Sequence, residues 1–162
     1  MPGVTSLNNA LRTPDRGPGQ NNSGVVTLTA SATLDYSHNG KTVVLNAAAG
    51  LTVTLPTSSG NGWKCKIIVL TTVTSNSDIV KVGNTTDALV GFSNVISDDA
   101  GGPAKGFIAS AGSDDTITLN GTTTGGYAGD TIYVEDIASG TFAVEVIGKA
   151  TGTEATPFSA TV

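Results

Sequence analysis

Val25-Val-Thr-Leu-Thr, Leu51-Thr-Val-Thr-Leu and Thr116-Ile-Thr-Leu repeat one pattern, in which large or β-branched apolar residues alternate with threonine. A period of two sends successive side chains to opposite faces of a strand, so each segment offers one face to a core and the other to water. The watery face carries hydroxyls rather than ions. Charged residues make up 13% of the 162-residue chain, about half the quarter usual for soluble domains. Almost no group able to do acid, base or nucleophilic chemistry falls within these strands.

Outward from these segments, strands are expected at 25–30, 33–36, 41–46, 51–55, 63–71, 78–82, 105–110, 115–120, 131–137 and 141–147, with a shorter pair at 88–92 and 94–97. Asn39-Gly40, Asn61-Gly62 and Asn120-Gly121 enter positive φ at low cost and suit tight hairpins. Pro56 ends a strand because it cannot donate to a ladder, and Ser139-Gly140 joins two strongly alternating segments at hairpin distance. No helical pattern is long enough for a βαβ crossover. The expectation is an all-β fold, an antiparallel β-sandwich or jelly-roll-like domain over residues 25–162.

Residues 1–24 differ, with Pro2, Pro14, Pro18 and a polar Gln20-Asn-Asn-Ser, and they read as an extended N-terminal arm. Only Val4, Leu7 and Leu11 are large and apolar there. Fixing twenty-odd backbones costs about 1–2 kcal/mol each, whereas three buried aliphatic anchors return about 1.5–3 kcal/mol each. An ordered arm must therefore also gain strand pairing or a preformed groove.

A chain of this length buries enough surface to fold without disulfide or metal. The single cysteine, Cys65, is in phase with Trp63, Ile67 and Val69 and reads as a buried structural thiol. Trp63 shares that face, so it reads as core rather than as a platform for sugar. Net charge is −5 with both arginines near the N-terminus, which excludes the basic stripe that nucleic-acid binding requires. No run of eighteen apolar residues marks a membrane-spanning helix. The first residues lack the basic and apolar regions of a secretion signal, so synthesis in the cytoplasm is expected.

The search for chemistry finds little. The one histidine, His38, precedes a turn and reads as a loop residue without partners for a triad. Asp98-Asp99, Asp114-Asp115 and Glu135-Asp136 are paired carboxylates. Calcium could take oxygen ligands from Asp98, Asp99, Asp114 and Asp115, but without EF-hand spacing these pairs read as turn formers. Gly101-Gly-Pro-Ala-Lys-Gly and Gly125-Gly-Tyr-Ala-Gly lack the order of residues of a phosphate loop. Asn21, Asn84 and Asn120 begin glycosylation triplets that an Asn- and Thr-rich chain produces by chance. No catalytic residue, metal or cofactor is expected.

The stretch from Val25-Val-Thr-Leu-Thr-Ala-Ser-Ala-Thr-Leu through Lys41-Thr-Val-Val-Leu-Asn to Leu51-Thr-Val-Thr-Leu-Pro resembles the start of the β-domain in tailed-bacteriophage head decoration, or cement, proteins. Asp115-Thr-Ile-Thr-Leu-Asn-Gly-Thr-Thr-Thr-Gly-Gly and Gly148-Lys-Ala-Thr-Gly-Thr-Glu-Ala-Thr-Pro-Phe-Ser-Ala fit the same pattern. The resemblance implies a non-enzymatic virion protein on the outer capsid surface. Such a protein binds the major capsid protein at capsomer junctions, as a homotrimer or alternatively a dimer, with no nucleic-acid or membrane partner. On this reading Val4, Leu7, Leu11 and Arg12 are the partner-binding anchors of the arm. The terminal Thr156-Pro-Phe-Ser-Ala-Thr-Val is either a last strand or a second anchor through Phe158. A tail-fibre or receptor-binding module for host glycan, using Tyr127 or Tyr133, is the alternative, and a hydrolase with dispersed carboxylates such as Asp114 or Asp115 comes third.

Overall fold

A computed structural model describes residues 24–110 and 112–162; the anchors Val4, Leu7, Leu11 and Arg12 lie outside them. Twelve strands follow one another: β1 (Val25–Leu28), β2 (Ala32–Thr33), β3 (Thr42–Leu45), β4 (Thr52–Thr54), β5 (Lys64–Val69), β6 (Asp78–Lys81), β7 (Ala88–Ser97), β8 (Ala104–Ala109), β9 (Thr116–Leu119), β10 (Thr131–Ala138), β11 (Thr141–Ala150) and β12 (Phe158–Ser159). A 3₁₀ turn at Tyr36–His38 is the one helical element among the described residues. The larger sheet has the order β1-β3-β5-β10-β11-β7-β8, and the smaller one β12-β9-β6-β4-β2.

The chain is an all-β sandwich, as its alternation predicts. The sheets are mixed, however, where the turn signals predict antiparallel pairing. β1, β3 and β5 are parallel neighbours in the larger sheet, β2, β4 and β6 in the smaller. Successive strands from β1 to β6 therefore alternate between sheets, and the segment winds as three stacked coils. Gly40 and Gly62 do adopt positive φ, at 75° and 76°, but they carry the chain from one sheet to the other. Gly121, at φ 76°, likewise leaves the smaller sheet for the larger. Ser139-Gly140 does close a hairpin, with β10 and β11 antiparallel and a register shift between Asp136 and Ala138.

The stacked coils explain why the same alternation recurs. Val26, Val43 and Ile67 are in register across the larger sheet, as are Leu28, Leu45 and Val69. Ala32, Val53 and Val80 face them from the smaller sheet. Each coil adds one inward pair to the core that the two sheets share. Trp63 is buried in it, edge-on to Phe142 with ring centroids 6.4 Å apart, and its indole N–H donates to the Asp35 carbonyl at 3.1 Å.

Residues 88–97 form one strand rather than two. The buried Ser93 sits where the apolar alternation lapses, yet its backbone pairs on both sides with Val146 and Phe107. Phe158 lies in the last strand. It is buried in the core and in register with Ile117 of β9, because its phase points it inward from the edge of the smaller sheet.

Candidate functional site: the outer face of the larger sheet

Buried carboxylates hold the corners of the body together. Asp136 accepts hydrogen bonds from the Ser58 hydroxyl at 2.7 Å and from the amides of Gly60 at 2.8 Å and Ser59 at 2.9 Å. Burial raises its pKa, but these donors together hold it below the ordinary aspartate value. Asp130 accepts from the Gly126, Tyr127 and Lys149 amides, and burial still leaves its pKa raised. Asp87 accepts from the Ser58 amide, and Glu154 pairs with Lys105 at 3.0 Å. Backbone amides, the Ser58 hydroxyl and one lysine thus partner these carboxylates.

The other residues weighed for chemistry are similarly placed. Cys65 is buried, which pushes its thiol up to about 12 and leaves it without nucleophilic character at neutral pH. His38 Nδ1 lies 2.9 Å from Asp35 Oδ1 in the exposed 3₁₀ turn. The Ser37 hydroxyl and His38 hold the Asp35 carboxyl below its usual value. Asp114 accepts from the Ser110 amide and clasps its own loop, whereas Asp115 accepts from the Thr161 amide and ties down the distant segment at residues 161–162. Among the described residues no three His, Cys, Asp or Glu side chains gather as a metal site would need. Asn84 and Asn120 turn their amide oxygens onto backbone amides of their own loops.

What remains is a surface. Six of the nine exposed large apolar side chains among the described residues, Val25, Phe92, Ile96, Ile108, Tyr133 and Ile147, lie on the outer face of the larger sheet. One registered row crosses all seven strands: Val25, Thr42, Lys66, Tyr133, Glu145, Phe92 and Ile108. Each member is out of phase with the core residue beside it, so the row faces outward.

The middle of this row is a groove of about 420 Å³ lined by Lys41, Lys64, Lys66, Tyr133, Glu135 and Glu145 among others. Its charges are partly matched. Lys64 lies 3.8 Å from Glu135, and the Lys66 ammonium sits 5.3 Å from the centroid of the Tyr133 ring. Glu145 is half-buried between Tyr133 and Phe92. Beyond it the face turns apolar: Phe92 is 50% and Ile108 81% exposed, directly opposite each other, with Ile147 and Ile96 in the neighbouring rows.

Residue spacing identified Tyr133 as a surface aromatic but missed the apolar end of the row. The signal was present in the doublets Val95-Ile96, Phe107-Ile108 and Val146-Ile147. In a strand, one member of each doublet must leave the core. Tyr127 lies apart from the row, its ring 4.8 Å from the Lys149 ammonium. No family model, no curated protein and no solved structure matches this chain.

Proposed function

We propose that the protein is a virion structural protein that decorates and stabilises the outside of a phage capsid by binding the major capsid protein at capsomer junctions. The outer face of the larger sheet is the observation that carries this reading. A contiguous apolar and aromatic face on a body braced by buried hydrogen bonds is the kind of surface that protein partners cover. The residues of the arm, Val4, Leu7, Leu11 and Arg12, add a second attachment, and linked contacts act at high effective concentration even when each is modest. A homotrimer would multiply that effect on a shell. The acidic balance of the chain suits an outward surface rather than one facing packaged DNA.

Co-sedimentation with expanded capsids that lack the protein tests this reading. Saturable binding at a fixed ratio to shell subunits supports it, and deleting residues 1–20 should leave a folded body that binds shells much less well. Absence of binding to the cognate shell would sink it. Recognition of host glycan is the second reading, favoured by Tyr133 lying 42% exposed beside a groove with lysine and glutamate walls. Saturable glycan binding lost on replacing Tyr133 would establish it instead.

A further inference from the structure

We propose that, in the free protein, the outer face of the larger sheet seats the chain's own residues 1–23, with Arg12 on Glu145 and with Leu11 and Leu7 on Phe92 and Ile108. The inference goes beyond the shell reading and does not depend on it.

Glu145 is the first observation. It is half-buried, stands in register between Tyr133 and Phe92, and its side chain has neither an ion pair nor a hydrogen bond among the described residues. A carboxylate between two aromatic side chains suits a guanidinium, which can bond it through two N–H groups while stacking on a ring. The body from residue 24 onward contains no arginine; the two in the chain are Arg12 and Arg16.

Charge favours the same occupant. Residues 1–23 carry those two arginines and Asp15, whereas the remainder carries six lysines against twelve aspartates and glutamates. A basic segment is tethered to an acidic body.

Geometry supplies the route. Gly24 leads directly into Val25, the first member of the row that ends at Phe92 and Ile108. Glu145 lies four strand spacings away, about 19 Å. The twelve residue-to-residue steps from Gly24 to Arg12 reach about 40 Å when extended, which leaves slack for the prolines and the twist of the sheet. Continuing past Arg12, the arm presents Leu11 and then Leu7, in the order in which the row presents Phe92 and then Ile108. The groove is already formed and the arm is tethered beside it, so three apolar anchors need not order the arm unaided. For shell binding the consequence is a release step, since the same leucines and arginine must leave this face before they can latch elsewhere.

The test is disulfide trapping in the full-length chain with Leu7→Cys and Ile108→Cys together, the pair the proposal places in contact. Ile108 is 81% exposed, so its replacement leaves the core intact, and the buried Cys65 is no competitor. Mild oxidation should give a disulfide within one chain, seen as a faster-migrating monomer that reduction reverses. Adding Arg12→Glu should slow trapping about tenfold, as loss of a charge-assisted hydrogen bond predicts, and adding Glu145→Arg to that variant should restore it. A disulfide between chains would overturn the proposal in favour of arms exchanged between copies. No disulfide, with both new thiols open to a maleimide, would overturn it outright. Neither result bears on co-sedimentation with shells, so the two readings fail separately.

Discussion

Phe92 and Ile108 face each other across the β7–β8 ladder on the side of the sheet turned away from the core. Cross-strand pairing of this kind stiffens a sheet, yet it leaves apolar surface in water that folding alone does not need. If the face meets a partner, Ile108→Asp should lower shell affinity by tenfold or more. It should change unfolding free energy by no more than about 0.5 kcal/mol, as is usual at exposed sites. Parallel binding and denaturant titrations of the variant check this, and unchanged affinity would remove the face from the attachment surface.

Asp78 gives the body an internal pH dependence. It is buried, with one carboxylate oxygen accepting from the Leu51 amide at 3.0 Å and the other without a hydrogen-bond partner. Burial pushes its pKa up to about 6, opposed only in part by the Leu51 amide. The native state then holds a proton that the unfolded state has released, so this group's contribution to stability falls as pH rises from about 4 through about 6. A shift of this size corresponds to about 2–3 kcal/mol. Asp78→Asn has no charge to bury, so between pH 4 and pH 7.5 the wild type should lose that amount relative to the variant in chemical denaturation. Parallel stability curves for the two proteins would contradict the assignment.

Much of this architecture is legible in the sequence because alternation is a local property. Val25-Val-Thr-Leu and Leu51-Thr-Val-Thr-Leu declare strands and inward faces without knowledge of their neighbours. Pairing direction is not local. The Asn39-Gly40 and Asn61-Gly62 turns take the φ values their composition predicts, but whether such a turn folds a strand back or carries it to the opposite sheet depends on where the next apolar face finds its core. That decision rests on contacts such as Val43 with Ile67, more than twenty positions apart. The outer face was hidden for a related reason: Ile96, Ile108 and Ile147 each sit beside a residue that does reach the core, and a reading that counts apolar content assigns both to the interior. Asp136 was legible as a turn-region carboxylate, but its partners at residues 58–61 were not.

Those partners make Asp136 a clasp between the end of β10 and the connection from β4 to β5. Asp136→Ala would leave the Ser59 and Gly60 amides without their acceptor, while the Ser58 hydroxyl keeps the Ala138 carbonyl at 2.6 Å. The expected loss is about 2–4 kcal/mol, since each stranded buried donor costs about 1–3 kcal/mol. Asp136→Asn should also destabilise, since its amide N–H₂ would face other donors. Because the native carboxyl is held below its ordinary pKa, this clasp adds stability above the unfolded value and loses it as pH falls through the folded one. Acid denaturation should accordingly begin at higher pH in a protein whose clasp is weakened by Ser58→Ala. An unchanged acid midpoint in that variant would show that another group controls acid unfolding.

Phe158 separates a stability role from an attachment role. Its side chain is 6% exposed and packs in the shared core, while its backbone extends the smaller sheet beside β9. Phe158→Ala should therefore cost about 3–5 kcal/mol, combining lost burial with a residual cavity, and Phe158→Leu considerably less because more of the volume is kept. If Phe158 acts only through the fold, shell binding by Phe158→Leu, measured at a temperature where the variant remains native, should match the wild type. An external anchor predicts the reverse pattern, with near-native stability for both variants and affinity falling with the loss of the ring. Measuring unfolding and co-sedimentation on the same two variants distinguishes these outcomes, because burial couples the ring to unfolding whereas an anchor couples it to the partner.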